Sequence, residues 1–169
     1  MSLQPAAEAG AAHRAGRVAL VGRPNVGKST LLNRLVGSKI SITSNRPQTT
    51  RSRVIGIVTR PDAQVEFVDT PGFQTEHRSS LNQAMNRSVR AGLQDVDAIV
   101  WLVEALKCGE GDAVVAALLP RRRPLILAIS KTDAGHDRER LLPFIARMAE
   151  LREFAAIIPI SAEKGWQVD

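Results

Sequence analysis

The chain has 169 residues, 44% of them hydrophobic and 24% charged, which is the size and composition of one globular domain with a proper core. Its longest apolar run, Ala98 to Val103, is too short to span a bilayer, and a sequence with no Tyr, four Phe and two Trp disfavours a base-stacking platform. The net charge of +6 favours polyanionic partners such as nucleotides or nucleic acid. A single cysteine, Cys108, excludes an intrachain disulfide and is typical of a reducing compartment.

The first ordered element is predicted to follow an alanine-rich segment. Residues 1–16 contain no continuous apolar block, so we expect a flexible tail rather than a secretory signal, with the domain occupying residues 17–169. The apolar run Val18 to Val21 predicts a strand. A helix is expected to run to about Val36, where Gly37 is a natural residue to end it.

Between that strand and that helix lies a glycine-bounded loop with the spacing G-x-x-x-x-G-K-[ST]. Gly22 and Gly27 permit backbone conformations that a β-carbon would block, so that successive N–H groups and the helix N-terminus can cradle phosphate. Lys28 is placed to neutralise the outer phosphates, and the Ser29 hydroxyl is placed to hold Mg²⁺. The candidate phosphate-binding residues are Gly22, Arg23, Pro24, Asn25, Val26, Gly27, Lys28, Ser29 and Thr30.

The next segment, residues 38–52, is polar and long for a connection, which is typical of a functional or mobile loop. Two short apolar runs, Val54 to Val58 and Gln64 to Val68, are separated by a turn and predict an antiparallel hairpin. The hairpin delivers the tetrapeptide Asp69-Thr70-Pro71-Gly72 at a strand end. A helix around Leu81 to Leu93 is expected after it.

The remainder of the chain alternates strands and helices, which indicates an α/β domain with a mainly parallel sheet. Strands are predicted at Ala98–Val103, Pro124–Ile129 and Ala156–Ile160, and helices at Gly111–Leu119 and Arg138–Phe154. Ligands of such sheets bind beyond the carboxyl ends of the strands, where every polar motif of this chain stands. The basic run Arg121 to Arg123 is interpreted as a solvated loop before a strand.

The strand-end residues favour a guanine nucleotide over other phosphate compounds. Asp69 is placed to contact hydrated Mg²⁺, and Gly72 to offer a backbone N–H to a terminal phosphate. Asp133 is placed to accept hydrogen bonds from guanine N1–H and the exocyclic amine, a pairing that adenine cannot make. The backbone of Ser161-Ala162 can offer an N–H to guanine O6.

At these residues the chain resembles a translation-factor-type GTPase, and more closely the bacterial Era family. The resemblance covers essentially residues 17–169 and rests on the phosphate loop, Ile42-Thr43-Ser44, Pro47-Gln48-Thr49-Thr50-Arg51, Asp69 to Gly72 and Ser161 to Gly165. It implies a three-layer P-loop GTPase domain: a six-stranded, mostly parallel sheet with one antiparallel strand and helices on both faces. It also implies that the protein hydrolyses GTP to GDP with Mg²⁺ as a slow switch.

The resemblance assigns roles residue by residue. Thr50, in preference to Thr49, is the switch threonine that ligates Mg²⁺ together with Ser29 and Asp69. Gly72 is the hinge of the second switch. Asn25 matches a loop asparagine that helps coordinate K⁺ in several relatives, although simple stabilisation of the loop is an equal alternative. The implied catalytic residues are Lys28, Thr50, Gly72 and Asn25, and the nucleotide-binding residues beyond the phosphate loop are Asp69, Thr70, Pro71, Gly72, Phe73, Ser130, Lys131, Asp133, Ser161 and Ala162.

Two residues matter because of what other GTPases carry at their positions. Phe73 stands where Ras-like enzymes have the water-orienting glutamine, a replacement that the Era family shares, so no side-chain general base is assigned and slow turnover is expected. Ser130 stands where asparagine usually precedes the lysine of the guanine motif. We expect it to lose the amide's reach to the base and to neighbouring loops, with a cost of about 1 kcal/mol.

Era proteins carry a second, RNA-binding KH domain, and no G-x-x-G clamp of that kind occurs here. We therefore expect this chain to be a fragment whose last helix is cut short. The implied partners are ribosomal RNA and the small ribosomal subunit, reached through that absent domain, in 16S rRNA processing and 30S assembly. The family also implies a cytoplasmic monomer with peripheral association at the inner membrane. Two alternatives remain open: a nucleotide-binding scaffold with negligible turnover, and a basic chain that itself binds RNA.

Overall fold

The computed structural model describes residues 13–37, 53–69, 90, 92–134 and 138–168. Its elements in chain order are β1 (Arg14–Val21), α1 (Lys28–Val36), β2 (Arg53–Thr59), β3 (Ala63–Asp69), a 3₁₀ turn (Leu93–Asp95), β4 (Ala98–Glu104), α2 (Glu110–Leu118), β5 (Leu125–Ser130), α3 (Arg138–Leu151) and β6 (Ala156–Pro159). The predicted loop at residues 38–52 and most of the predicted helix at 81–93 lie outside the described residues.

The six strands form one sheet in the order β2-β3-β1-β4-β5-β6. Only β2 is antiparallel, paired with β3, and all other neighbours are parallel. The mixed sheet and the hairpin are therefore confirmed. Because the five parallel strands point the same way, β1, β3, β4, β5 and β6 all end at one edge of the sheet, which brings the polar strand-end motifs together.

The alternation of side chains along the parallel strands builds two cores, one on each face of the sheet. On one face Val21, Trp101 and Leu127 pack with residues of α2 and α3 such as Val115 and Met148. On the other face Leu20, Leu102 and Ala128 pack with Leu31 of α1 and with Val168. Helices thus cover both faces, as the sequence predicts, and the strands read as continuous apolar runs because both of their faces are buried.

Two element boundaries differ from the sequence-based expectation. The first strand begins at Arg14, where Arg14 N–H donates to the Asp62 carbonyl at 3.0 Å, so residues 14–16 lie in the sheet instead of the tail. Residues 14–16 pair with β3 through backbone hydrogen bonds, so their sequence shows no apolar pattern that would have predicted a strand. Helix α3 ends at Leu151 instead of Phe154, because Phe154 turns inward and stacks on the fully buried Trp101, with ring centroids 6.1 Å apart. None of the described helices is both long and apolar enough to cross a bilayer.

Candidate functional site

The glycine-bounded loop leaves β1 at the carboxyl edge of the sheet and leads into α1. Gly22 has a φ of 150°, and a β-carbon built there would lie 2.6 Å from the carbonyl oxygen of Leu102. The loop can pass this close to β4 only because residue 22 is a glycine, as expected for a residue whose β-carbon would block the loop. Gly27 is the N-cap of α1 with a φ of 102°, and no side chain caps the first turn of the helix. No side chain therefore competes with an anion for the amides at this end of α1.

The ammonium group of Lys28 lies across this loop. Its Nζ donates to the carbonyl oxygens of Gly22 and Arg23, both at 2.8 Å. Two backbone carbonyls thereby hold a positive charge beside the helix N-terminus. Ser29, the second residue of α1, is exposed, and Asn25 is exposed with a left-handed φ of 63°.

An ion pair between the half-buried Arg23 and the buried Asp112 ties the loop to α2. Arg23 Nη2 lies 2.8 Å from Asp112 Oδ2 and donates to the Lys107 carbonyl at 3.1 Å. Asp112 in α2 is fully buried, and its Oδ2 also accepts from the Gly109 N–H at 3.0 Å. Asp112 was not among the predicted site residues. An acidic residue three positions after Gly109 is typical of a helix N-terminus, so the sequence could indicate its role in starting α2. Its ion pair with Arg23 is a tertiary contact that the sequence does not indicate.

At the end of β5, the Ser130 side chain is only 3% exposed, and its Oγ donates to the Val26 carbonyl at 2.6 Å. The same Oγ lies 3.3 Å from the Val103 carbonyl. Serine at this position therefore still ties the guanine motif to the phosphate loop. The expectation that it loses its reach to neighbouring loops is wrong, because β5 lies close enough to Val26 for a short side chain to bridge.

Next to Ser130, Lys131 adopts a left-handed φ of 59°, and its Nζ lies 2.9 Å from Glu104 Oε2 at the end of β4. The other carboxylate oxygen lies 2.7 Å from Lys107 Nζ. The hydrogen bond from Lys107, with further help from Lys131, holds the pKa of Glu104 below its usual value against the opposing effect of burial. Glu104 was not among the predicted site residues; its signal was a charged residue directly after a buried strand.

The last two strand ends are joined by backbone and hydroxyl contacts. Thr132 Oγ1 donates to the Ile160 carbonyl at 2.9 Å, and the buried Ser161 Oγ accepts from the Lys164 N–H at 3.0 Å. These contacts shape a cavity of about 130 Å³. It is lined by Gly27, Thr30, Ser130, Lys131, Asp133, Ala134, Ile160, Ala162 and Glu163.

The structure thus brings the phosphate loop, the motif around Asp133 and the segment at Ala162 together around one cavity, as their strand-end positions predict. The Asp69 backbone closes β3 at the same edge, but its side chain lies outside what is described. Thr50, Thr70, Pro71, Gly72 and Phe73 also lie outside the described residues. Within the described part of the chain, no group of three or more His, Cys, Asp or Glu side chains is arranged to hold a metal ion.

A glycine-bounded loop at a helix N-terminus, next to a cavity that is lined by a carboxylate, fits a nucleotide. Comparison with protein families gives a match over residues 17–131 to the model of the 50S ribosome-binding GTPase. The chain is 54% identical to the GTPase Era of Bordetella pertussis over 156 residues, which is 92% of this chain and 53% of that protein. The chain therefore spans about half the length of the curated relatives it matches.

Two solved structures are similar in both fold and sequence. Era in complex with MgGDPNP and nucleotides 1506–1542 of 16S ribosomal RNA aligns with a TM-score of 0.75 and 37% identity, covering 93% of this chain and 54% of that one. A variant of Aquifex aeolicus Era bound to GDP and AlF₄⁻ aligns with a TM-score of 0.73 and 37% identity, covering 92% and 54%.

Proposed function

Because the chain belongs to the 50S ribosome-binding GTPase family, as a GTPase domain of the Era type, we propose that it binds GTP with Mg²⁺ and hydrolyses it slowly to GDP and phosphate. The observation that carries this proposal is the convergence of the phosphate loop and the Asp133 motif on one cavity. The similar Era protein with GDP and AlF₄⁻ supports hydrolysis as the reaction.

The phosphate half of the site is supplied by the loop and α1. The loop amides and the N-terminal end of the helix favour negative charge, and Lys28 adds a positive charge beside them. Lys28 can exchange its two carbonyl partners for phosphate oxygens, which are stronger acceptors because they are charged. The Arg23–Asp112 pair keeps the loop in place during that exchange.

The base half of the site selects guanine. The Asp133 carboxylate lines the cavity and accepts from guanine N1–H and the exocyclic amine, and the Ala162 N–H donates to O6. The Lys131 side chain is held along the cavity wall by Glu104. Adenine presents a lone pair where guanine presents N1–H, so the carboxylate repels it.

Mg²⁺ bound here would neutralise charge developing on the phosphate oxygens during transfer. The exposed Ser29 hydroxyl, next to Lys28 at the helix start, fits one ligand position. Asp69 and Thr50 complete the proposed set. For K⁺, the exposed Asn25 at the mouth of the loop is the proposed ligand.

Phe73 leaves no glutamine to orient the attacking water, so we assign no side-chain base and infer a low rate. The residues proposed for catalysis are Lys28, the Gly72 amide, Thr50, which would hold Mg²⁺, and Asn25, which would hold K⁺. The γ-phosphate of GTP would order the segments that contain Thr50 and Gly72, which makes the domain a switch.

The partners of the whole protein are proposed from its relatives. The similar Era structure contains 16S ribosomal RNA, so we infer a role in 16S rRNA processing and small-subunit assembly, with the RNA bound mainly by a KH domain outside this chain. We further propose a cytoplasmic monomer that associates peripherally with the inner membrane. The single free thiol, Cys108, agrees with a reducing compartment.

Multiple-turnover phosphate release from GTP, measured with Mg²⁺ in either K⁺ or Na⁺, separates this enzyme from a scaffold that only binds nucleotide. We expect release above background, loss of release in Lys28→Ala, and a higher rate in K⁺. Asn25→Ala should abolish the difference between the salts, whereas Asn33→Ala, which alters an exposed residue of α1, should preserve it. No release above background in either salt would leave the scaffold as the correct function.

A further inference from the structure

A cavity rich in arginine lies at the opposite edge of the sheet from the nucleotide site. It has a volume of about 500 Å³ and sits where β5 and β6 begin. Four arginines line it, namely Arg121, Arg122, Arg123 and Arg152, together with one carboxylate, Glu153. The basic run lies in an exposed turn before β5, as the sequence predicts, and that turn is part of a concave surface.

Two of these arginines are fixed by the fold and form the walls. Arg152 Nη1 donates to the carbonyls of Ala116 at 2.7 Å and Leu119 at 3.2 Å, and Nη2 donates to the Pro120 carbonyl at 3.3 Å. It thereby satisfies carbonyls at the C-terminal end of α2. Arg123 Nη2 donates to the Gln94 carbonyl at 2.6 Å.

The other two arginines are exposed and available to a ligand. In the described part of the chain, neither Arg121 nor Arg122 takes part in an ion pair. Burial and the nearby charge of Arg121 lower the pKa of Arg152. Like charges gathered in one concavity repel one another, and a bound anion would relieve that repulsion.

We propose that this cavity binds the sugar-phosphate backbone of a single RNA strand. Guanidinium groups present a planar fork that matches the non-bridging oxygens of a phosphate. The cavity is wide enough to admit the ribose attached to that phosphate, and Glu153 supplies an acceptor for the ribose 2′-hydroxyl, a group that DNA lacks. A concave site suits a strand better than the flat surface of a bilayer.

This inference goes beyond the proposed GTPase activity and does not depend on it. Leu125 lines this cavity and Ser130 lines the nucleotide cavity, so five residue steps along β5, at about 3.3 Å each, place the two roughly 17 Å apart. It adds an RNA contact on this chain itself, besides any contact made by a domain outside it.

The test is fluorescence anisotropy of a fluorescein-labelled single-stranded oligouridylate titrated with the chain at several salt concentrations. The variant is Arg121→Gln/Arg122→Gln; Arg123 and Arg152 are left intact because they hold backbone carbonyls. The matched control, Arg60→Gln/Arg140→Gln, removes the same charge from exposed positions outside the cavity lining. We expect the cavity variant to bind about tenfold more weakly and to lower the salt slope by roughly 0.7 per arginine, with the control within about twofold of the unaltered chain.

Equal weakening by both double variants would overturn the proposal, because the binding would then reflect net charge alone. So would equal competition by oligodeoxythymidylate or polyglutamate, or binding to phosphatidylglycerol vesicles without binding to the RNA. Binding of GDP by each variant, measured in parallel, is expected to be unchanged, which shows that the variants are folded. If the chain bound no guanine nucleotide at all, thermal unfolding would provide the same check, and the RNA result would stand by itself.

Discussion

Ser130 supplies a residue-scale contact between the guanine motif and the phosphate loop. Its hydroxyl donates to the buried carbonyl of Val26, so Ser130→Ala leaves that acceptor without this partner. We expect a loss of about 1–2 kcal/mol in the free energy of unfolding and a several-fold faster dissociation of GDP. Urea denaturation and displacement of a fluorescent GDP analogue measure the two effects. Thr59→Ala removes an exposed hydroxyl that accepts from Gln64 away from the site, so it should leave GDP dissociation unchanged and cost less stability. If Ser130→Ala behaves like the unaltered chain in both measurements, the assigned bond is contradicted.

Asp112 is the buried partner of Arg23, and its replacement by alanine strands a positive charge beneath the phosphate loop. Breaking such a pair costs about 3 kcal/mol, less where Arg23 is partly solvated. We expect the unfolding free energy of Asp112→Ala to fall by about 2–3 kcal/mol in urea denaturation, with weaker GDP binding. Asp112→Asn keeps an oxygen for the Gly109 N–H and should lose less. Asp95→Ala, which removes an exposed acid, is the control. If Asp112→Ala loses no more unfolding free energy than this control, the Arg23–Asp112 pair does not stabilise the fold.

Glu104 gives the site a defined pH dependence. Its pKa is lower in the folded chain than in the unfolded one, so its stabilising effect is present above the ordinary carboxyl pKa of about 4.3 and is lost as the pH falls through the folded value. Since Lys107 is 63% exposed and Lys131 40%, the effect is modest, about 0.5 kcal/mol.

The measurement is thermal unfolding of the unaltered chain and Glu104→Gln from about pH 7 to about pH 3. The stability difference between them should hold steady near neutrality and shrink in acid. A difference that stays constant down to the lowest pH would mean that the carboxylate is not stabilised by its two lysines.

At the residue scale, strand-end positions were enough to predict that the phosphate loop, Asp133 and Ala162 lie at one edge of the sheet, and Gly27, Asp133 and Ala162 line one cavity there. Asp112 and Glu104 were not predicted. Their partners, Arg23 and Lys131, are 89 and 27 positions away in the chain, and only the packing of α2 and β4 brings them together. The sequence shows which residues are charged, but only the folded structure shows which of them form ion pairs.

At the scale of elements, α1 is positioned by its packing on β2. A β-carbon built on the buried Gly56 would lie 2.6 Å from Val36 Cγ2 and 3.2 Å from Leu32 Cδ1. Gly56→Ala should therefore displace the helix that carries Lys28 and Ser29, at a cost of about 1–3 kcal/mol. Urea denaturation and GDP affinity should both report the change. Gly16→Ala, where the added carbon meets Asp97 at an ordinary 3.4 Å, is the control; equal behaviour of the two variants would refute the close approach.

Most of the element pattern was readable from the sequence because strands buried on both faces give continuous apolar runs, as in β4 and β5. The start of β1 was not, since residues 14–16 pair through the backbone and carry no apolar pattern. The end of α3 was misplaced because Phe154 looks helical in sequence but packs on Trp101 in the fold. Propensity was overridden by tertiary contact in that case.

At the scale of the whole molecule, the sheet separates the two proposed binding sites. The carboxyl edge holds the nucleotide cavity, and the opposite edge holds the arginine cavity. The expected slow switch and the proposed RNA contact therefore use different parts of the chain.

The central claim, that this chain is a guanine-nucleotide enzyme, is tested most directly by exchanging the base specificity through Asp133. Asparagine at this position offers one acceptor and one donor, which match the N1–H and the C2 carbonyl of xanthine instead of the N1–H and amine of guanine. In competition against a fluorescent GDP analogue, the unaltered chain should prefer GTP over XTP and ATP. With a fluorescent XDP analogue, Asp133→Asn should prefer XTP, while Asp95→Asn keeps the original order. An unaltered chain that binds ATP as well as GTP, or an Asp133→Asn variant that still prefers GTP, would contradict the account.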